Sequence, residues 1–385
     1  MKRLQVFLLA ALSSSLLLSG CGKETEEVIQ PVVEPIVEAQ PTAQPEESTD
    51  EGEAETEDPD APPEEGMVRS RITNEWVSEQ TDKTRPIAVM IPNTKTASHY
   101  GLSQASVLYE CNVESSITRL MAVFDDWSSF EKLGNIRSSR DYYIYWAFEW
   151  DALYIHFGGP FYIDDLVGRT DTQNVNCINY ANASYRDTAK DSTDNAFTST
   201  AHLKDAISHY GYPLEYRDGY ADEQHYLFAP DSSPNTLEQY DKAITAGTID
   251  MSPAYPVTNS YFKYNEETGL YDRYQHLSGT SDGPHIDLAN NEQLSFKNLL
   301  IQNTYYEVRD QKGYLSFQCH DTTRDGWFFT NGKGIHVTWE KTSDYGATRY
   351  FDDNGSEIKL NTGKTMVCIV EDGDTFMVDG QAIGK

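Results

Sequence analysis

Apolar and polar positions follow two different patterns along the chain, and the first covers residues 85–211. Short apolar runs rich in β-forming residues end at polar turns, which predicts buried strands. Between them lie segments whose apolar residues recur at helical spacing, which predicts helices buried on one side. The predicted strands are 85–91, 107–113, 118–125 and 152–157, and the predicted helices are 142–150 and 198–210. This alternation is typical of an α/β domain.

The second pattern begins beyond Pro230 and consists of short strand-like runs without long helical segments. A polar turn at 265–268 joins two aromatic-rich runs as in a β-hairpin. Further turn sequences are Asn331-Gly332, Asn354-Gly355 and Asp372-Gly373. We therefore predict a mixed α+β protein, in which an N-terminal α/β domain at 67–230 is followed by a mainly-β C-terminal domain at 231–385.

The first segment has the pattern of a bacterial lipoprotein signal. Lys2 and Arg3 precede an apolar run at 4–18, and small residues then lead to Cys21. The apolar core, of about fifteen residues, is shorter than the ~20 apolar residues that span a bilayer. We expect 1–21 to be the signal peptide with Cys21 as the lipidated residue; an uncleaved anchor with an incidental cysteine is the alternative. Either interpretation places the folded part on the outer face of the cytoplasmic membrane.

Residues 22–66 have the composition of a disordered acidic tether. They hold seven prolines and sixteen acidic residues, but one basic residue, Lys23, and no aromatic residue. The formal net charge of the chain is −31, and the rest of the chain is also acidic. A protein without a basic face has no bulk attraction to nucleic acid, so no nucleic-acid partner is expected. The expected location outside the cytoplasm also excludes ATP-driven chemistry and cytosolic nucleotide cofactors.

The remaining cysteines form no C-x-x-C pair and have no histidine nearby at metal-ligand spacing. We therefore expect neither a metal site nor a cofactor. Buried thiols are the main expectation, because two of these cysteines lie in strand-like runs where a thiol packs as a small apolar group. A disulfide stays open, because an even number of cysteines outside the cytoplasm permits pairing. The four cysteines are Cys111, Cys177, Cys319 and Cys368.

Several short motifs stand in a fixed order along the chain. They are 85–91, 101–105, Tyr109-Glu110, Val113-Glu114, 117–119, 137–140 and 156–159 in the first half, and 271–273, 284–287, 298–302, 331–333 and 339–341 in the second. In content and order they resemble the YerB-like lipoprotein family of Gram-positive bacteria over almost all of residues 70–372. The resemblance implies an envelope lipoprotein with a two-domain layout, and it supplies neither an established reaction nor catalytic residues. Lys190 and Asp194 stand where a second basic residue and a histidine are expected, which weakens any anion site that uses that histidine.

A candidate anion pocket begins at 137–140, just before or inside the first turn of the helix 142–150. Free backbone N–H groups and the helix dipole favour an anion there, and guanidinium groups bind oxyanions through paired hydrogen bonds. A glycine pair follows a predicted central strand, at the end where ligands bind in α/β sheets. The predicted phosphate or carboxylate pocket consists of Arg137, Ser138, Ser139, Arg140, Gly158, Gly159, Glu114 and His156.

Each of these candidates also has a purely structural interpretation. The arginines can pair with local acids such as Asp141 or Glu114 and only support the fold, and the glycines can serve a tight turn. His156 can be a core histidine with satisfied hydrogen bonds. In the second domain, His285 and Asp287 share one face of an extended stretch, which suits an acid/base pair or half of a metal site, or simply a structural hydrogen bond.

Two functional classes are compatible with this sequence. The favoured one is a non-catalytic cell-envelope binding module, held at the membrane by the lipid on Cys21, that binds an anionic wall component or a protein of wall assembly. The alternative is a hydrolase or transferase that acts on phosphate-linked envelope polymers. In that case Arg137 and Arg140 would stabilise a developing oxyanion, and an acid among Glu110, Glu114 and Asp141 would handle a proton.

Overall fold

The structure, a computed structural model, describes residues 58–190, 193–220 and 224–384. The predicted signal peptide with Cys21, and the predicted tether as far as residue 57, lie outside the described residues. In the described ranges the α-helices are α1 (Glu79–Lys83), α2 (Asp141–Phe148), α3 (Asp164–Val167) and α4 (Thr200–Tyr210). None of these helices is long and apolar enough to cross a membrane.

Strands make up most of the regular structure in the same ranges, which confirms the predicted mixed α+β class. They are β1 (Met67–Arg69), β2 (Trp76–Ser78), β3 (Ile87–Pro92), β4 (Val107–Asn112), β5 (Thr118–Phe124), β6 (Leu133–Gly134), β7 (Leu153–His156), β8 (Asn174–Asn176), β9 (Tyr185–Arg186), β10 (Ala196–Thr198), β11 (Leu227–Phe228), β12 (Ile244–Thr245), β13 (Thr248–Asp250), β14 (Ser260–Asn265), β15 (Leu270–Gln275), β16 (Gly283–Pro284), β17 (Ser295–Phe296), β18 (Asn298–Thr304), β19 (Tyr306–Val308), β20 (Leu315–Phe317), β21 (Asp321–Thr330), β22 (Lys333–Lys341), β23 (Arg349–Phe351), β24 (Lys359–Leu360), β25 (Thr365–Glu371), β26 (Phe376–Val378) and β27 (Gln381–Ile383).

One large sheet runs through both halves of the described chain. Its strand order is β12-β22-β21-β18-β25-β4-β5-β3-β7-β8, with β23 paired to β22. The halves join where β4 and β25 pair in parallel, with Val107 opposite Thr365 and Cys111 opposite Ile369. The strands from the first half and those from the second are therefore hydrogen-bonded into a single sheet.

The central strands are continuous apolar runs because both faces of the large sheet are covered. Every residue of β3 and β4 is buried. On one face Leu108 belongs to a core that includes Leu203 of α4. On the other face Tyr109 belongs to a second core that includes Trp146 of α2. This explains why the strands at 107–113 and 118–125 were predictable from hydrophobicity alone.

A second sheet covers part of one face of the large sheet. Its order is β16-β15-β14-β13-β26-β27, with β17 paired to β15, and it contains the predicted hairpin as β14 and β15. Phe262 and Phe376 of this sheet share a core with Leu299 of the large sheet. The C-terminal half is thus mainly β, as predicted.

The carboxyl ends of three parallel strands, β3, β7 and β8, meet at one edge of the large sheet. The segment 137–140 lies between the ends of β3 and β7. The backbone N–H of Arg137 donates to the Met90 carbonyl at 2.8 Å, and the N–H of Ser139 donates to the Gly158 carbonyl at 2.9 Å. This edge is where ligands bind in open α/β sheets, and it positions the candidate site.

A candidate anion-binding site

A cavity of about 340 Å³ opens at the carboxyl end of β3. The loop that follows β3 supplies Thr94, Lys95 and Thr96, and the segment before α2 supplies Arg137. Asp194 lines the cavity beside them. Of the residues predicted for the anion pocket, Arg137 is the one that reaches this cavity.

The Asp194 carboxylate is held by two hydrogen bonds and an ion pair. It accepts hydrogen bonds from the Thr94 Oγ1 hydroxyl at 2.5 Å and the Thr96 Oγ1 hydroxyl at 2.6 Å. Its other oxygen lies 2.9 Å from Nε of Arg137, and its own side chain is only 2% exposed. The aspartate that replaces the expected histidine is therefore the ion-pair partner of Arg137.

Cations nevertheless outnumber carboxylates among the described residues that line this cavity. Lys95 is exposed on the rim, and the Arg137 side chain is 30% exposed. Lys190 lies beside the same loop, where its Nζ donates to the Ser98 hydroxyl and lies 3.5 Å from the Thr96 carbonyl. Of the described residues that line the cavity, Lys95 and Arg137 are cations and Asp194 is the carboxylate, so this lining is basic on a chain of net charge −31.

Two further arginines bind consecutive carbonyls of the same segment. Nη1 of Arg119 donates to the Ser138 carbonyl at 2.7 Å, and Nη1 of Arg140 donates to the Ser139 carbonyl at 2.6 Å. Arg140 is buried and also pairs with Glu114, with 2.5 Å between Nη2 and Oε1. Arg140 therefore has the supporting role that we considered as the alternative.

Arg119 is a site residue that the sequence analysis did not single out. Burial, and then the charge of Arg140, lower the pKa of its guanidinium to about 10. Its Nε is buried without a hydrogen-bond partner, and no carboxylate of the described residues lies within ion-pairing distance. The sequence signal that could have identified Arg119 is its position as a charged residue near the start of a mostly apolar strand, β5.

The serines and the first glycine of the predicted pocket are occupied by contacts within the protein. The Ser138 hydroxyl donates to the Phe157 carbonyl at 3.1 Å, and the Ser139 hydroxyl lies 2.7 Å from that of Tyr154. Gly158 has a φ of 68°, and its N–H donates to Asn176 Oδ1 at 3.0 Å. These groups shape the end of β7 and leave no hydroxyl free for a ligand. Gly159, in contrast, is exposed.

His156 is fully buried and has a partner on each ring nitrogen. Nδ1 lies 2.8 Å from the Gly158 carbonyl, and Nε2 lies 3.1 Å from Oδ1 of Asn174. Burial lowers the pKa of the imidazole, although both hydrogen bonds oppose that shift. This environment is that of a core histidine.

His285 and Asp287 are buried away from the cavity and have different partners. Asp287 accepts hydrogen bonds from the backbone N–H groups of Gly101 at 2.9 Å and Ser103 at 2.8 Å. His285 Nδ1 accepts from Arg273, and its Nε2 lies 2.5 Å from Nδ1 of His99. The two residues thus anchor the second half of the chain to the first.

The two histidines form a chain with a defined direction. Nε2 of His99 donates to the Pro92 carbonyl at 2.8 Å, so its Nδ1 must accept from His285. Burial lowers the pKa of His99 to about 4 and that of His285 well below its ordinary value. Both rings are therefore neutral at physiological pH, and the described residues contain no group of three or more His, Cys, Asp or Glu side chains that could hold a metal ion.

Comparison with known families fits this two-part architecture. Residues 72–213 match the model described as "Protein of unknown function (DUF3048) N-terminal domain", and residues 249–367 match the model of the corresponding C-terminal domain. The chain belongs to this two-domain, YerB-like family.

A Bacillus subtilis (strain 168) protein named "Putative lipoprotein YerB" is 24% identical over 315 residues, which cover 81% of this chain and 88% of that protein. The crystal structure of the YerB protein from Bacillus subtilis matches with a TM-score of 0.66 and 20% identity, covering 79% of this chain and 96% of that one. At this identity the structural likeness establishes the fold.

Proposed function

We propose that this protein is a non-catalytic binding module of the cell envelope, anchored by a lipid on Cys21 at the outer face of the cytoplasmic membrane. The signal pattern before Cys21 and the lipoprotein name of the YerB relative support the anchor. Its ligand is an anionic component of the wall. The other partner is an acidic segment of a wall-assembly protein, because its carboxylates would bind the same cations.

The observation that carries this proposal is the basic rim of the cavity at the end of β3. The chain has a net charge of −31 and therefore repels anions, except where cations locally outnumber carboxylates. Lys95 and Arg137 line this cavity together with Asp194, whose carboxylate is paired with Arg137, and Lys190 lies beside the same loop. The cavity of about 340 Å³ is large enough for a phosphate with part of the attached polymer.

The candidate acids of the enzyme alternative do not lie in this cavity. Each is paired with an arginine, so its carboxylate is already engaged in a contact within the protein. The pairs are Glu110 with Arg273, Glu114 with Arg140 and Asp141 with Arg309. Asp194 does lie in the cavity, but Thr94, Thr96 and Arg137 already contact its carboxylate. These contacts favour binding without turnover.

The test is co-sedimentation of the full chain, purified in detergent, with cell walls that retain or lack their anionic polymers. The variant is Lys95→Gln combined with Lys190→Gln, which removes two charges near the cavity and keeps the pair of Arg137 with the buried Asp194. Arg140→Ala is unsuitable, because it would leave Glu114 without its partner. Lys359→Gln is the matched control, because Lys359 is exposed elsewhere.

We expect the chain to pellet with complete walls and not with stripped walls, and the double variant to lose most of this binding. Lys359→Gln should pellet like the natural chain. Equal pelleting with stripped walls, or full binding by the double variant, would refute the proposal. Release of soluble polymer fragments during incubation would instead support the hydrolase alternative.

A further inference from the structure

A second cleft lies in the C-terminal half, where Trp327 of β21 is paired with His336 of β22. Their ring centroids are 6.0 Å apart and the planes are nearly perpendicular, at 80°. Cavities of about 240 Å³ and about 420 Å³ lie beside this pair, and both residues line each of them. We call the two cavities together the Trp327 cleft.

The walls of the smaller cavity come from both sheets. Ile301 and Val370 belong to the large sheet, and Phe376 belongs to the second sheet. Phe376 meets Trp327 at a centroid distance of 6.5 Å and an angle of 77°. Trp327 itself is only partly buried, so an aromatic surface of the cleft stays open to a ligand.

The charges that line the cleft are mostly negative. The carboxylates are Asp241, Asp325, Asp352, Asp353 and Asp374, and the basic side chains are Lys242 and His336. Both basic groups are already engaged. His336 Nδ1 lies 2.6 Å from Asp353, its Nε2 lies 3.3 Å from Asp325, and Lys242 Nζ lies 3.2 Å from Asp353.

Asp374 stands out among these carboxylates. No basic side chain of the described residues lies within ion-pairing distance of it, and it lines the cavity that contains Trp327. Burial raises the pKa of Asp374, because a charged carboxylate loses hydration there without gaining a cation. A ligand cation at this place would provide the missing partner.

We propose that the Trp327 cleft binds a primary ammonium group carried on an alkyl chain, as in a lysine side chain. Ammonium groups are attracted to the face of tryptophan, and carboxylates accept hydrogen bonds from their N–H groups. The alkyl stem suits the apolar wall of Ile301 and Val370. This site is separate from the basic cavity and does not depend on its function.

The chain's own N-terminal segment is a poor occupant of this cleft. Residues 22–66 contain sixteen acidic residues and a single basic one, Lys23, so the acidic cleft repels them. A second copy of this chain brings the same net charge of −31. The charge pattern therefore favours a basic ligand over the N-terminal segment and over a second copy of this chain.

The experiment is titration calorimetry of the full chain in detergent with an acetylated and amidated Gly-Lys-Gly peptide. The same peptide with Nε-acetyl-lysine tests the ammonium charge, and n-butylamine tests whether a free amine suffices. We expect the lysine peptide to bind and acetylation of the lysine to weaken it by about tenfold or more. Tighter binding of the peptide than of butylamine identifies a peptide source, and equal binding identifies a free amine.

Asp325→Asn combined with Asp374→Asn should weaken binding of the lysine peptide by about tenfold or more. Asp165→Asn is the control, because Asp165 is exposed on α3 and outside the cleft. Equal affinity for the charged and acetylated peptides, full affinity in the double variant, or no heat from either amine at millimolar concentration would overturn the proposal. The comparison of the two peptides uses the natural chain and stands even if the double variant folds poorly.

Discussion

The Glu110 carboxylate and the Arg273 guanidinium lie 2.8 Å apart with both side chains fully buried, although 163 positions separate them in the chain. A second buried pair, Glu149 with Lys341, repeats the arrangement at 3.5 Å. In both pairs the acid comes from the first half and the base from the second. The two halves are therefore joined by electrostatics as well as by the shared sheet.

Removal of one member of the first pair should strongly destabilise the protein. Arg273→Gln leaves the buried Glu110 without a cation, a change that typically costs about 3–5 kcal/mol. Urea unfolding of the full chain measures the loss. Lys83→Gln is the control, because the Lys83–Glu79 pair is 64% and 55% exposed and such pairs contribute about 0–1 kcal/mol. Similar losses of unfolding free energy in both variants would contradict a stabilising role of the buried Glu110–Arg273 pair.

The two halves should unfold together. Ile369 is fully buried in β25 and lies opposite Cys111 of β4, so Ile369→Ala should cost about 2–5 kcal/mol. Because β3 and β5 belong to the same sheet, the amide protection of these N-terminal strands should fall by the same free energy. Hydrogen exchange followed by mass spectrometry measures it. Unchanged protection in β3 and β5 would indicate halves that unfold independently.

Glu149 should make the protein sensitive to acid. Burial alone would raise its pKa, but the charges of Lys341 and His225 and the Thr348 hydroxyl outweigh burial and lower the pKa to about 2. The folded state thus holds the charged form more strongly than the unfolded chain, whose value is 4.5. This contribution is complete above pH 4.5 and is lost as the pH falls towards 2.

Stability measured from pH 6 down to pH 2 should therefore fall less steeply in Glu149→Gln than in the natural chain, even though the variant is less stable at neutral pH. Glu79→Gln is the comparison variant, because Glu79 is exposed. Parallel stability curves for Glu149→Gln and the natural chain would refute this role of Glu149.

Asp125 should have the opposite effect. Burial raises its pKa from 3.8 to about 6, although the hydrogen bond from Ser70 opposes the shift. The folded state then holds the proton more strongly, so stability is lost as the pH rises from 3.8 to about 6. Asp125→Asn should stabilise the protein by about 1–3 kcal/mol at pH 7 and much less near pH 4. A melting temperature that rises equally at both pH values would contradict this expectation.

The hydrophobic pattern predicted where the strands are but not which strands pair with each other in the sheet. β3, β4 and β5 were found because both faces of each strand are buried, which makes the runs continuously apolar. The parallel pairing of β4 with β25 leaves no local signal, because a buried apolar strand fits many partners equally well. The fold class was therefore predictable, while the continuity of the sheet was not.

The sequence likewise predicted only part of the candidate site, because the remaining contacts join distant segments. Arg137 was found from its place before a helix, and the structure puts it on the wall of a cavity. Asp194 meets it from a segment far along the chain, and Arg119 reaches the same backbone from β5. Ion pairs between distant segments depend on tertiary contacts. The sequence alone therefore could not show which arginines are paired within the protein and which can contact a ligand.

The position of β25 has a consequence for biosynthesis. This strand lies between β18 and β4 in the large sheet, yet Thr365–Glu371 leaves the ribosome after both of them. Until then, β4 and β18 each have an open edge, and such edges invite aggregation. A product truncated before β25 cannot complete its sheet and is a substrate for proteases. The fold thereby distinguishes a polypeptide that includes β25 from one that ends before it.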